Sequence, residues 1–280
     1  MSSSSYPVRF DRLARLLGLT AMERLARAHV AVFGIGGVGS FAAEALARSG
    51  VGHITLVDGQ RVCETNVNRQ LHALDGSVGR FKVEAMGERL RLIAPTARIE
   101  ERAEFYDEAS SARLLPADLD YVVDAIDTVV PKLHLLATCA RRKLPVVSAM
   151  GAALRLDPTA VRVSELCDSH TDQFAKDIRK YLRTRHGIES TAPNGILAVW
   201  STEPARKPIR LPGDEAGIPG VAPRTAEELA QKRRPAKSHG SAAFVTGAFG
   251  LAAASAVVQA LAGESALPAP PGRERPRRKR

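Results

Sequence analysis

The chain has 280 residues, 45% hydrophobic and 25% charged, which excludes a disordered, collagen-like or disulfide-scaffold protein and leaves material for one large core. Lys and Arg number 40 against 30 Asp and Glu, a formal charge of +10, so an anionic partner is expected. The three cysteines, Cys63, Cys139 and Cys167, form no CxxC pair, which excludes a four-thiolate zinc site and fits a reducing, cytoplasmic compartment. Residues 1–8 lack the apolar stretch of a secretory signal and are read as a flexible N-terminus.

In chain order, the β-branched run His29 to Gly34 enters the glycine cluster GIGGVG, and an Ala-rich helix follows from Phe41 to Ser49, stopped by Gly50. A second strand, His53 to Asp58, ends on an acidic residue. A helix is predicted over Lys82 to Ile93, closed by Pro95, then a strand over Ala97 to Arg102. The apolar run Asp120 to Asp127 precedes a helix begun by Pro131 and the strand Leu144 to Met150. Strands alternating with helices imply an α/β, Rossmann-like, doubly wound and mainly parallel sheet.

Past Gly151, two short strands are expected around Asp157-Pro158, then a basic helix over Thr171 to Arg185 and loops over residues 187–240. Ser241 to Ala262 carries no charge and is long enough to span a membrane. Its alanines, Gly247 and Gly250 favour instead a buried helix closing the core or a dimer interface, with membrane contact as the rival. Residues 263–280 read as a basic disordered tail.

Gly34, Gly36, Gly37 and Gly39 stand where a strand meets a helix, where the missing Cβ allows a tight turn and lets backbone N–H groups approach a phosphate. Asp58, at the end of the next strand, is placed to accept from a ribose hydroxyl. Three further motifs, TNVNRQ (Thr65 to Gln70), VGRFK (Val78 to Lys82) and DAID (Asp124 to Asp127), suit an intact triphosphate better than a dinucleotide. Attack on an α-phosphoryl group builds negative charge, so Arg69, Lys82 and a metal-holding Asp127 are the expected tools.

In this order and spacing, GxGGVGS, the acidic strand end, NxNRQ, VGxxK and DxxD resemble the ThiF/MoeB/ubiquitin-activating superfamily of adenylating enzymes. The resemblance implies an ATP-binding adenylation domain over residues 9–157, with 158–262 as the substrate and dimer part of the same fold. By that resemblance the loop at Gly37 contacts phosphate and Asp58 the ribose. Asn66, Arg69, Gln70 and Lys82 then contact the phosphates, and Asp127, beside Thr128, holds magnesium. An arginine from the partner subunit reaches the nucleotide; Arg12 matches best, with Arg9 and Arg15 as rivals.

The stretches RFDRLARLLG, DAIDTVVPK, VSAMGAALRLDPTAVRV and WSTEP are similar to the tRNA threonylcarbamoyladenosine dehydratases. That likeness implies a homodimer in which ATP activates a carboxylate on a tRNA adenosine and an intramolecular nitrogen or oxygen closes a ring with loss of water. A sulfurtransferase or sulfur-acceptor partner would follow from the same relatives. The alternative is an adenylyltransferase that activates the C-terminal glycine of a ubiquitin-like sulfur carrier, against which the absent CxxC pairs weigh. A nucleotide sensor without turnover and an NAD dehydrogenase are more distant readings.

Relatives carry a cysteine before the terminal helix where this chain has Ser238 and His239, which leaves Cys63 or Cys167 as alternatives for any reactive thiol. The histidines show no HxH or HxxxH spacing, so no zinc is expected; His72 alone adjoins the NRQ run. Met150-Gly151 is read as lining the substrate channel. Lys176, Arg179, Lys180, Arg183 and Arg185 are spaced three and four apart, so several share a helix face, read either as a solvated face or, with the basic tail, as a contact for tRNA phosphate.

Overall fold

Period-two burial turns the apolar runs into a two-sided sheet. In β1 (His29–Phe33), Val30 and Val32 enter one core and Ala31 and Phe33 the other, all without exposed surface. The computed structural model describes residues 7–209 and 239–264; Ser238, the basic tail and residues 210–238 of the segment expected as loops lie outside the described residues.

Six further strands complete the sheet: β2 (His53–Val57), β3 (Arg98–Arg102), β4 (Tyr121–Asp124), β5 (Val146–Ala149), β6 (Val161–Glu165) and β7 (Ile196–Ser201). Their order is β3-β2-β1-β4-β5-β7-β6, parallel throughout except for β6 against β7. One face packs against α1 (Asp11–Leu17), α2 (Leu19–Arg27), α3 (Gly39–Arg48) and α4 (Lys82–Ile93). The other packs against α5 (Ser111–Leu114), α6 (Val129–Arg142) and α7 (Gln173–His186). Chain order runs outward from β1 to β2 and β3 on one side, and from β4 to β5 on the other. The crevice at the carboxyl ends of β1 and β4 is therefore the switch point where such sheets bind ligands.

Three expectations need correction. Residues 153–156 form no strand: only β6 follows the Asp157 turn, because Asp157 accepts from Thr159 N–H and caps a 3-10 turn at Pro158–Ala160. The segment expected as loops contains β7, a buried strand between β5 and β6; ILAVWS is a β-forming run whose signal is diluted by the Pro- and Gly-rich composition around it. The third apolar run stops being strand at Asp124, three residues before Asp127.

The uncharged C-terminal segment is α8 (Ala243–Ala262), long and apolar enough by composition to cross a membrane and packed here into the core. Val245, Phe249, Ala253 and Val257 have no exposed surface, each large apolar side chain contributing about 1.5–3 kcal/mol of burial. The helix lies against α3 because it presents glycines there. A Cβ on Gly250 would stand 2.4 Å from the Val38 carbonyl oxygen, and one on Gly247 3.0 Å from the Phe41 ring. Gly250→Ala is expected to lower unfolding free energy by about 1–3 kcal/mol through overpacking, measured by urea denaturation; an unshifted midpoint would contradict this packing.

Candidate active site

The glycine cluster works by close approach. Gly34 holds φ +86°, and a Cβ there would meet the Ala125 carbonyl oxygen at 2.7 Å; a Cβ on Gly39 would stand 1.9 Å from the Gly34 oxygen. The turn from β1 to α3 thus lies directly on the loop after β4. Gly36 faces open space, while Gly37 lies against Thr246 of α8 and the Arg69 side chain, 3.1 and 3.2 Å from an added Cβ. Glycine turn, NxNRQ run and DAID loop therefore converge on one cradle at the switch point.

Asp58 ties the end of β2 to that cradle: its Oδ2 accepts from Ile35 N–H at 2.7 Å and its Oδ1 from Gln60 N–H at 2.7 Å. A carboxylate retains further lone pairs beyond these two bonds, which suits a ribose hydroxyl. Asn66 shapes the following 3-10 turn, its Oδ1 accepting from Cys63 N–H at 3.1 Å. Arg69 is half-buried and donates from Nη1 to the Thr65 carbonyl at 2.8 Å and to Asn68 Oδ1 at 3.0 Å. Desolvation lowers its pKa, opposed by the charges of Cys63 and Asp127. Lys82, the first residue of α4, is buried and donates to Gln60 Oε1 at 2.8 Å. Asp127 is exposed beyond β4, and Thr128 is the N-cap of α6.

Buried polar atoms also belong to the run that carries Arg69. Gln70 Oε1 and both ring nitrogens of His72 are buried with no hydrogen-bond partner among the described residues. Burial, and secondarily the charge of Lys82, pushes the His72 pKa down to about 3, so the ring is neutral near pH 7. Beside Arg69 a shallow pocket of about 560 Å³ is lined by Glu64, Thr65, Asn68, His239 and Ser241, with Asn68 Nδ2 donating to the Ser241 carbonyl at 2.9 Å.

Of the amino-terminal arginines, Arg9 donates to the Ile93 carbonyl at 2.6 Å and Arg15 pairs with Asp11 at 2.8 Å. Arg12 is exposed on α1, which borders the carboxyl end of α3, so its own chain does not bring it to the cradle. Arg179 leaves the basic face of α7 to bond the Ser169 carbonyl at 2.6 Å; Lys176, Lys180, Arg183 and Arg185 remain exposed. Burial pushes the Cys139 thiol up to about 12, and desolvation with neighbouring Asp168 and Glu165 also raises that of Cys167.

Two polar groups escaped the sequence reading. Lys132, fully buried in α6, pairs with Asp124 at 2.5 Å, and Ser148 Oγ donates to the same carboxylate at 2.6 Å. Arg155 pairs with Asp172 at 3.2 Å, both almost without exposure. A lysine among Leu133, Leu135 and Leu136 was the available signal for the first. Register, invisible to spacing within one motif, also stacks His29 on His53 at 3.4 Å, with Asp118 3.1 Å from His29, at the amino ends of β1 and β2, away from the cradle.

This geometry is that of a nucleotide-binding adenylation fold, and the chain belongs to the ThiF family, which matches residues 10–276. Within it, the chain is 38% identical over 266 residues to the tRNA threonylcarbamoyladenosine dehydratase of Escherichia coli K12, covering 94% of this chain and 97% of that protein. It is 40% identical to the Bacillus subtilis 168 enzyme of the same name, covering 90% and 94%. The E. coli dehydratase solved in complex with ATP superposes with a TM-score of 0.79 at 37% identity, over 94% of this chain and 98% of that one. The molybdopterin-synthase adenylyltransferase of E. coli K12 is 36% identical over 54% of this chain and 60% of its own.

The neutral, buried His72 predicts acid lability of a definite sign. Its pKa is depressed in the fold, so below the ordinary 6.5 the unfolded chain takes up a proton that the folded one refuses, and stability falls as pH drops from 6.5 toward 3. His72→Gln should reduce the stability lost between pH 7 and pH 5 by about 2 kcal/mol, read from urea denaturation at both pH values; equal losses would contradict the buried neutral ring.

Proposed function

We propose that the chain is an ATP-dependent cyclodehydratase that adenylates the carboxylate of threonylcarbamoyladenosine in tRNA. The observation that carries this is the gathering of the Gly34 turn, Arg69, Lys82 and Asp127 around one cradle, in a chain that matches its dehydratase relatives over 94% and 90% of its length. A carboxylate oxygen attacks the α-phosphorus, the bond to pyrophosphate breaks, and an acyl adenylate forms. A nitrogen or oxygen of the same side chain then attacks the acyl carbon and AMP departs. The oxygen lost from the substrate leaves in AMP, which makes a poor electrophile into a good one.

Arg69 and Lys82 balance charge on the phosphates, the backbone N–H groups around Gly36 and Gly37 line them, and Asp58 takes the ribose. Asn66, Gln70 and Thr128 complete the nucleotide shell, and the unpartnered Gln70 and His72 atoms suit a ligand rich in hydrogen-bonding groups. An exposed carboxylate beside a triphosphate cradle is the donor set that magnesium favours, so Asp127 would hold that ion, which supplies charge neutralisation of the phosphates. Arg12 completes the site from a second copy of the chain. A groove of about 560 Å³ between α1 and α8, lined by Leu13, Leu16, Leu17, Leu251 and Val258 together with Gln259 and Glu264, supports such a homodimer. The exposed cations of α7 suit tRNA phosphate, and the unpaired thiols suit the cytoplasm. A sulfurtransferase partner belongs to the same reading; a membrane role for α8 does not, given its core packing.

Activation of a sulfur carrier is the second reading, favoured by the shorter match to molybdopterin-synthase adenylyltransferases. Incubation with ATP, magnesium and tRNA bearing threonylcarbamoyladenosine, followed by nucleoside mass spectrometry, separates them. A product lighter by one water, dependent on ATP and reduced at least about 100-fold in Lys82→Ala, is the expected result. Unchanged nucleoside alongside an adenylated Gly-Gly carrier terminus would contradict it.

A further inference from the structure

We propose that Arg155 receives the carboxylate of the acyl substrate; this deepens the adenylation reading and rests on it. Adenylation must bring two anions, a carboxylate and a triphosphate, within bonding distance, and that requires a fixed cation on the carboxylate side as well as on the phosphate side. Lys132 does not serve, since its amine is committed to Asp124 and Ser148. Arg155 is 3% exposed. Its Nε donates to the Gly151 carbonyl at 2.7 Å and its Nη2 to Asp172 Oδ2 at 3.2 Å, while Nη1 is buried with no partner among the described residues. A guanidinium held on two sides with its remaining nitrogen unpaired presents a planar donor pre-oriented for a carboxylate.

Its position follows from the topology. Gly151 leaves the carboxyl end of β5, next to the end of β4 where Asp124 begins the DAID loop. The loop over Arg155 is thin, made of the half-exposed Gly151, Ala152, Ala153 and Leu154. Leu154 adopts φ +61°, sparsely populated for a branched side chain, and is fixed there because its N–H donates to the Gly240 carbonyl at 2.8 Å and its carbonyl accepts from Arg206 N–H at 2.8 Å. Gly240 lines the pocket that also contains Arg69. Gly240 therefore borders the Arg69 pocket on one side and, through its bond to Leu154, the loop that carries Arg155 on the other. Asp172, which also accepts from Gly151 N–H at 3.0 Å and caps α7 through Ala175 N–H at 3.0 Å, keeps the guanidinium in place.

The test compares binding of the nucleoside N6-threonylcarbamoyladenosine and of its methyl ester, by calorimetry in the presence of a non-hydrolysable ATP analogue. The wild-type protein should prefer the acid by about 10- to 100-fold, the range of one charge-assisted hydrogen-bonded contact. Arg155→Gln should bind acid and ester alike while keeping its affinity for the ATP analogue, a split that a merely structural role would not produce. Arg155→Lys keeps a cation for Asp172 and should show a reduced but measurable preference; it carries the test if Arg155→Gln does not fold. A folded Arg155→Gln that still prefers the acid as the wild type does overturns the assignment. Wild-type protein that releases AMP with the modified tRNA but binds acid and ester equally overturns this assignment alone, whereas wild-type protein that releases no AMP overturns the adenylation reading and this assignment with it.

Discussion

Asp124 closing on Lys132, with no exposed surface on either side chain, is the interaction on which the site depends. Desolvating two charges is unfavourable, and here close pairing offsets it together with Ser148, which donates to the same carboxylate and accepts from the lysine at 3.1 Å. The other carboxylate oxygen accepts from Ile126 N–H at 3.1 Å. One carboxylate therefore fixes β4, β5, α6 and the loop that follows β4. Ala125 in that loop is the surface on which Gly34 folds, so the phosphate turn inherits its position from a charge pair without exposed surface.

Around that anchor the charges act in pairs. Neutral His72 lies in the field of buried Lys82, and half-buried Arg69 in that of exposed Asp127. Asp58 spans the turn from the side of β2. Such a cluster of buried or half-buried cations is unfavourable in isolation and becomes favourable when a polyanion is present, which is the electrostatic meaning of preorganisation. The closely packed α8 supports the cradle from behind through Thr246, an arrangement that requires glycine at 247 and 250.

Most of the fold was legible because period-two apolar runs and glycine stops are local signals. The strand starts at His29 and His53, the bounds of the helix over 82–93 and the glycine turn follow from them directly. The strand at 196–201 was lost to the composition of its surroundings, although its own six residues are nearly all apolar. At the site, residues within motifs were identified by chemistry, but the pairs that hold them were not. Lys132 with Asp124, Arg155 with Asp172 and His29 on His53 are meetings across strand and helix boundaries, and only register and crossover geometry create them. The same holds for Arg12, whose proposed task lies across a subunit boundary.

The central claim, that the substrate carboxylate attacks the α-phosphorus of ATP, is tested most directly by oxygen transfer. tRNA carrying threonylcarbamoyladenosine labelled with oxygen-18 in its carboxylate is turned over with unlabelled ATP, and the nucleotide products are weighed. The account predicts AMP bearing one heavy oxygen, equal in amount to the cyclised nucleoside. Unlabelled AMP, or ADP with the label in inorganic phosphate, would contradict it.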